Sequence, residues 1–165
     1  MTVAMNEETK TASLVLRTFQ PGDEQPFKEL NEIWISRGFA LEPADHEVLG
    51  DPKGQILDQG GEICIAELDG RVAGCCALLV IGPHEYELAK MTVAESARGR
   101  GIGRKLLLFA IDHAKKIGAH RLYLESNTKA ADAIHLYEQV GFRHMAAPDH
   151  ASKYARADTF MEMFL

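Results

Sequence analysis

The stretch Arg98-Gly99-Arg100-Gly101-Ile102-Gly103-Arg104 lies between an apolar, strand-like run and a helix-like run. It constrains the fold more than any other segment, because the backbone must pass from strand to helix there on three glycines. Glycine permits the tight turn and leaves main-chain N–H groups unshielded by a Cβ. Free N–H groups at a helix start, with the positive end of the helix dipole, attract anions. Arg98, Arg100, Arg104 and Lys105 add side-chain charge, on a chain whose net charge is −6. A basic, glycine-rich loop on an acidic protein predicts a phosphate-bearing ligand.

The spacing narrows the choice. A dinucleotide-type Gly-x-Gly-x-x-Gly started at Gly99 would need glycine at the position of Arg104. A Gly-x-x-x-x-Gly-Lys-Ser/Thr loop is also missing, which argues against an ordinary nucleoside-triphosphate site. What stands there is Arg-x-x-Gly-x-Gly, from Arg98 through Gly101 to Gly103, directly after Lys90-Met91-Thr92-Val93. A glycine-rich turn that merely caps a helix is the alternative.

At 165 residues the chain fits one domain. Residues 1–12 are polar and read as a loose tail without the apolar core of a signal peptide, leaving 13–165 as the folded domain. The longest apolar run, Ala73 to Gly82, is too short to span a bilayer and reads as a buried strand. The adjacent Cys75 and Cys76 point to opposite faces of that strand, so reduced core thiols in a cytoplasmic protein are expected. Histidines and cysteines show no metal-ligand spacing. No extended basic face supports nucleic-acid binding.

Periodicity sets the element order. Ser13 to Phe19 alternates as a strand, and Asp23 can cap a helix with the stripe Phe27, Leu30, Ile33, Trp34. Residues 38–50 read as loop or irregular helix, followed by a short helix opened by Asp51-Pro52. Strands 62–68 and 71–81 join at Asp69-Gly70, a hairpin signal. A strand over 84–93 leads into the arginine-glycine loop. A helix from Gly103 carries Leu107, Ala110, Ile111, Ala114 and Ile117 on one face. Strand 121–125, helix 129–140 and strands 142–145 and 159–165 complete an α/β (α+β) pattern: a mixed, mostly antiparallel sheet of about seven strands, with about four helices on both faces.

Motif and order together closely resemble the GNAT superfamily of N-acetyltransferases, in particular small single-domain bacterial members. The resemblance runs from about Ser13 to Leu165. A second segment, Leu136-Tyr137-Glu138-Gln139-Val140-Gly141-Phe142, is similar to the family's Leu-Tyr-x-x-x-Gly-Phe. The resemblance implies acetyl-CoA as co-substrate, with no metal and no membrane partner, and leaves a homodimer open. It implies main-chain pairing of the pantetheine arm with Met91, Thr92 and Val93, and pyrophosphate binding by Arg98, Gly99, Arg100, Gly101, Ile102, Gly103 and Arg104. Asn127 reads either as a contact to the pantetheine arm or as a cap for the next helix, since the asparagine many relatives carry three residues on is Ala130.

Acetyl transfer to an amine needs a neutral nitrogen, whereas a free alkylammonium titrates near ~10. A nearby carboxylate can take that proton. Glu87, eleven residues before Arg98, matches the general-base position of several family members; a solvated strand carboxylate is the alternative. The resemblance also makes Tyr137 the acid that protonates the departing thiolate, against a packing tyrosine on the helix face. Cys75 and Cys76 lack a flanking cation to stabilise a thiolate, so direct transfer in a ternary complex is favoured over an acyl-cysteine.

The acceptor is expected between Trp34, Phe39, Glu42 and Asp45 on one side and Tyr154 and Arg156 on the other. Arg156 could meet an amino acid's carboxylate, or form a structural ion pair. A small-molecule amine or amino acid is the leading acceptor. A protein or peptide N-acetyltransferase and a non-catalytic acyl-CoA sensor are the alternatives.

Overall fold

The computed structural model describes residues 13–165, so the expected tail over 1–12 lies outside the described residues. The element order is β1 (Leu14–Thr18), α1 (Glu24–Gly38), α2 (Pro43–Gly50), β2 (Glu62–Leu68), β3 (Arg71–Gly82), β4 (Glu85–Val93), α3 (Ile102–Lys116), β5 (Arg121–Ser126), α4 (Ala131–Val140), β6 (Arg143–Met145) and β7 (Thr159–Phe164). Seven strands form one sheet in the order β1-β2-β3-β4-β5-β7-β6. Every pairing is antiparallel except β4–β5. Asp69 and Gly70 both take positive φ (51° and 80°), as the expected two-residue hairpin requires.

The sheet is covered on both faces, and adjacent cysteines mark the two sides. Cys75 packs with Phe27, Leu49 and Ile56 beneath α1 and α2. Cys76 packs with Leu106, Leu107 and Ala110 of α3. Alternation along a strand forces this division.

Three local expectations change. The inward face of α1 is Phe27, Asn31 and Ile35, while Ile33 is 56% exposed; the polar Asn31 interrupts the apolar stripe and hides its true phase. Asp23 sits at the start of α1 but does not cap it. Its carboxylate accepts instead from Arg17 at 2.6 and 3.0 Å and from the Gln20 N–H at 2.8 Å. Residues 43–50 form a regular helix with Pro43 in its first turn and a reciprocal capping box between Glu42 and Asp45. The Asp51-Pro52 start yields one wide turn over Lys53–Leu57.

Two features of β4 position the site. Its parallel pairing with β5 covers Glu85, Tyr86 and Glu87 and then ends. Beyond Glu87 the strands diverge into a V. On the other edge, the register passes from Ala77↔Ala89 to Cys75↔Thr92, so Lys90 and Met91 together oppose Cys76. This bulge holds Lys90 at φ 53°. A bulge re-aims the side chains around it, and here it lies at the mouth of the V.

Candidate active site

The turn before α3 shows why the glycines are needed. Gly99 and Gly101 take φ of 78° and 72°, the left-handed region that a Cβ disfavours, and a Cβ at either would point into open space. Gly101 precedes the first helical residue, and the first helical bond runs from Lys105 N–H to Gly101 C=O at 3.1 Å. The N–H groups of 102–104 therefore have no intrahelical partner. The first turn of α3 holds no acidic side chain to take their place.

A cleft of about 430 Å³ opens over this helix start. Met91, Thr92 and Val93 form one wall, and Arg98, Gly99, Gly101, Ile102, Gly103 and Arg104 its basic end. Leu136 and Tyr137 of α4 face them. Arg98 donates to the Val93 carbonyl at 3.3 Å, and its guanidinium lies 5.8 Å from the Trp34 ring centre. Of the residues expected here, Arg100 and Asn127 do not line the cleft. Arg100 is exposed on the loop. Asn127 donates to the Arg156 carbonyl at 2.6 Å and accepts from the Lys129 N–H at 2.8 Å, tying the β5–α4 turn to the β6–β7 loop.

A second cavity, of about 130 Å³, occupies the V itself. It lies between β4 residues 87–91 and the end of β5, with Asn31, Trp34 and Phe39 above and Tyr154 and Arg156 at the side. Trp34, Met91, Ala133 and Tyr137 line both spaces. Tyr137 thus stands at their junction, with Phe142 edge-on to its ring at 5.9 Å. Burial raises its hydroxyl above the ordinary tyrosine range, so it remains protonated at neutral pH.

Glu87 belongs to this second cavity. Burial, reinforced by the charge of Glu125, pushes its carboxyl up to about 7, against the opposing pull of Lys90 and Lys153. Glu125 is engaged on both oxygens, by the Ser152 hydroxyl at 2.6 Å and the Tyr123 hydroxyl at 3.1 Å. A carboxyl near 7 is divided between proton-bound and proton-accepting forms at neutral pH, as a general base requires.

Behind the cavity lies a cluster of charges joined through Asp45, which is fully buried. Arg156 grips it with both terminal nitrogens at 2.7 Å, and Lys90 Nζ reaches it at 2.6 Å. Glu42 adds a contact to Arg156 at 3.1 Å, and the Tyr154 hydroxyl accepts from Lys90 at 3.1 Å. Burial alone would raise the Asp45 carboxyl, but the hydrogen bonds from Arg156 and Lys90 prevail and hold it well below the usual carboxylate range. Lys90, buried and facing Arg156, is lowered despite the Asp45 bond. Arg156 therefore takes the structural role of its two readings, with its fork filled by Asp45 and Glu42.

Burial pushes the Cys75 thiol up to about 12 and raises Cys76 as well, through its Cys64 neighbour and burial. Neither is a nucleophile at neutral pH. Among the described residues, no group of three or more His, Cys, Asp or Glu could hold a metal ion, and no helix is long and apolar enough to cross a membrane.

The family model of the acetyltransferase (GNAT) family matches residues 23–142. The chain belongs to the GNAT acetyltransferase family. The N-acetyltransferase YvbK of Bacillus subtilis (strain 168), itself described as uncharacterized, is 34% identical over 106 residues, 62% of this chain and 68% of the relative. A GNAT acetyltransferase from Staphylococcus aureus Mu50 superposes with a TM-score of 0.83 at 20% identity, covering 92% of this chain and 99% of that one. The phosphinothricin acetyltransferase of Sinorhizobium meliloti, solved in complex with acetyl-CoA, superposes at 0.75 and 19% identity over 92% and 88%. These likenesses make the protein a GNAT N-acetyltransferase in family and fold. Reading the sequence missed Asn31, Lys90 and Glu125 as lining of the second cavity, and Ser152 as the hydroxyl that donates to Glu125. Of these, only Lys90 and Glu125 carried a usable signal: charged residues within segments that read as strands.

Proposed function

We propose that this protein transfers an acetyl group from acetyl-CoA to the primary amine of a small molecule by direct attack within a ternary complex. One observation carries the reading. Tyr137 and Met91 line both the basic cleft over α3 and the cavity holding Glu87, so coenzyme and acceptor would meet between an acid and a base. Acetyl-CoA supplies the activated thioester. The free N–H groups at 102–104, with Arg98 and Arg104, fit its pyrophosphate. The edge of β4 beyond Glu87, unpaired by β5, suits an extended arm lying alongside as an added strand.

An acceptor amine enters as an ammonium, titrating near ~10. Glu87, directly or through water, takes its proton and frees the lone pair that forms the new C–N bond. The amine adds to the thioester carbonyl; as the tetrahedral adduct collapses the C–S bond breaks, the Tyr137 hydroxyl donates to the leaving sulfur, and the second nitrogen proton, lost as the amide forms, returns to the Tyr137 oxygen through water. The reduced, buried cysteines suit a cytoplasmic setting. The about 130 Å³ cavity favours a compact amine over a folded protein's surface.

The test follows thiol release from acetyl-CoA across an amine panel. Turnover of small primary amines is expected, with Tyr137→Phe lowering kcat by at least about tenfold while the KM for acetyl-CoA stays within a few-fold. Turnover of peptide amino termini alone would replace the small-molecule acceptor. Acetyl-CoA binding without thiol release for any amine would leave an acyl-CoA sensor.

A further inference from the structure

Successive side chains on an unbroken strand alternate between the two faces of a sheet, and β4 departs from that rule at one residue. Glu87 and Ala89 oppose Leu79 and Ala77 of β3, which pack with Phe27 and Leu49 beneath α1 and α2. Alternation would put Met91 and Val93 on that same face. Instead Thr92 takes it, opposite Cys75, and Met91 and Val93 pack into the other core, against α3. A Cβ at Gly103 would meet Val93 Cγ2 at 3.6 Å and Met91 Cε at 3.9 Å, so both side chains rest on the start of α3. The surplus residue that exchanges the faces is Lys90, at φ 53°.

Lysine is an unusual residue for that conformation. The other non-glycine residues with positive φ among the described residues are Asp69 and His84, both in turns and both of types that accept it. Lys90 lies within a strand, and its side chain is fixed from a distance. Its Nζ is bound to Asp45 of α2 at 2.6 Å and to the Tyr154 hydroxyl at 3.1 Å, with 5% of the side chain exposed. Its carbonyl accepts from the Cys75 thiol at 3.6 Å. The ties come from α2, from the β6–β7 loop and from β3, and they converge on one residue.

We infer that Lys90 is a positioning residue for the transfer: tethered to Asp45 and Tyr154, it holds the left-handed bulge that turns Met91 and Val93 away from the α1 face of β4 and onto the start of α3, opposite Tyr137. This rests on the acetyltransferase reading above, in which the thioester end of acetyl-CoA lies between Met91 and Tyr137. Without the tether, any residue but glycine gains by returning to an extended φ. The surplus residue is then absorbed by a one-residue slip, which exchanges the faces of 91–93. The N–H groups of 102–104 stay where they are, so turnover suffers more than coenzyme affinity.

The experiment compares Lys90→Leu, unbranched at Cβ like lysine but without a donor for Asp45, with Lys90→Gly, which gives up the tether yet adopts a left-handed φ freely. Neither strands a buried charge, because Asp45 keeps both bonds from Arg156 at 2.7 Å. At saturating amine, Lys90→Leu should lower kcat by about tenfold or more, since a displacement of ~1 Å in a reacting geometry can cost about 10²-fold. Lys90→Gly should turn over about tenfold faster than Lys90→Leu. The Kd of acetyl-CoA should stay within a few-fold in both. A nuclear Overhauser contact between the Met91 methyl and the Gly103 α-protons should be present in the wild type and in Lys90→Gly, and lost in Lys90→Leu.

A lysine that only stabilises the strand predicts the reverse order of stability, with glycine the weaker, and unchanged kcat in both folded variants. An ammonium that acts through its charge predicts two equally slow variants. Either result overturns the inference, as does a Met91–Gly103 contact that persists in Lys90→Leu. Should the wild type release no thiol with any amine, the acetyltransferase reading falls, while the same contact in the two variants still upholds or overturns the hold of Lys90 on the bulge.

Discussion

The cleft over α3 and the cavity in the V share a wall but are built by opposite means. The cleft's basic end comes from one unbroken stretch, residues 91–104, in which a strand end, a glycine turn and a helix start follow one another. Its unpaired donors are main-chain N–H groups at the start of α3, present whatever the side chains do. The cavity draws on α1, β4, β5, α4 and the β6–β7 loop, and its wall is held by Asp45, which meets Lys90 across 45 positions and Arg156 across 111. Local backbone geometry makes the first site; long-range side-chain pairing makes the second. The first should therefore tolerate damage elsewhere in the fold, whereas the second should fail when a single buried charge is removed.

Asp45→Ala is the most severe way to break that contrast. It leaves Lys90 (5% exposed) and Arg156 (19% exposed) without their shared carboxylate in a poorly hydrated place. Removing one partner of a buried ion pair costs about 3–5 kcal/mol. Urea unfolding should show a loss of that order, together with loss of acceptor turnover. A loss below about 1 kcal/mol would mean that water already reaches the cluster, and that pairing across the cavity is less demanding than its burial indicates.

The reverse experiment is Gly101→Asp. A Cβ there meets open space, so the fold should survive apart from the strain of a left-handed φ, which aspartate tolerates better than most residues. The side chain would cover the N–H groups of the α3 start and bring negative charge to them. Acetyl-CoA at ~100 times its Kd should stabilise the wild type by about 2.7 kcal/mol, read as a thermal shift, and the variant should lose that increment. A full shift in Gly101→Asp would remove the loop from coenzyme binding. No shift in the wild type would remove the coenzyme itself.

The same contrast explains what could be read without coordinates. The cleft was legible because a turn of this shape restricts residue type at successive positions: Gly99 and Gly101 are glycine for their φ, and the arginines stand where an anion would lie. The order of elements along the chain was legible from alternation and from turns such as Asp69-Gly70. Asn31 was not, because an apolar stripe is recognised by its apolar members, and a buried asparagine shifts the apparent stripe onto Ile33. Nor was the partnership of Asp45 with Arg156. Opposite charges 111 positions apart carry no local signal, and residues 43–50 looked irregular because a capping box built from Glu42 and Asp45 uses acids in place of the usual hydroxyl. Arg156 lines the cavity in the V, but its guanidinium already has its anions in Asp45 and Glu42.

The finest test lies where the two regions meet, in the titration of Glu87. Its carboxyl is pushed up to about 7, so it holds its proton below that pH and accepts one above it. If it takes the proton from the acceptor amine, kcat/KM should fall as pH drops through 7, approaching tenfold per unit on the acid side. The amine itself also gains reactivity with rising pH, which would give a slope of its own. Dividing the wild-type profile by that of Glu87→Gln cancels the shared contribution, because the same acceptor titrates in both. The quotient should bend near pH 7; a featureless quotient would take Glu87 out of proton transfer. Stability offers an independent sign. A carboxyl raised from 4.5 to about 7 on folding keeps the native state protonated where the unfolded chain is not. Its contribution is therefore full below about pH 4.5 and lost as pH rises through 7, and Glu87→Gln should flatten that portion of the curve. The donors at the start of α3 are main-chain N–H groups, which do not titrate in this window. Acetyl-CoA affinity should accordingly change far less than acceptor turnover between pH 6.5 and 8, a range chosen here for the assay, about 0.5 unit below and 1 unit above the Glu87 midpoint.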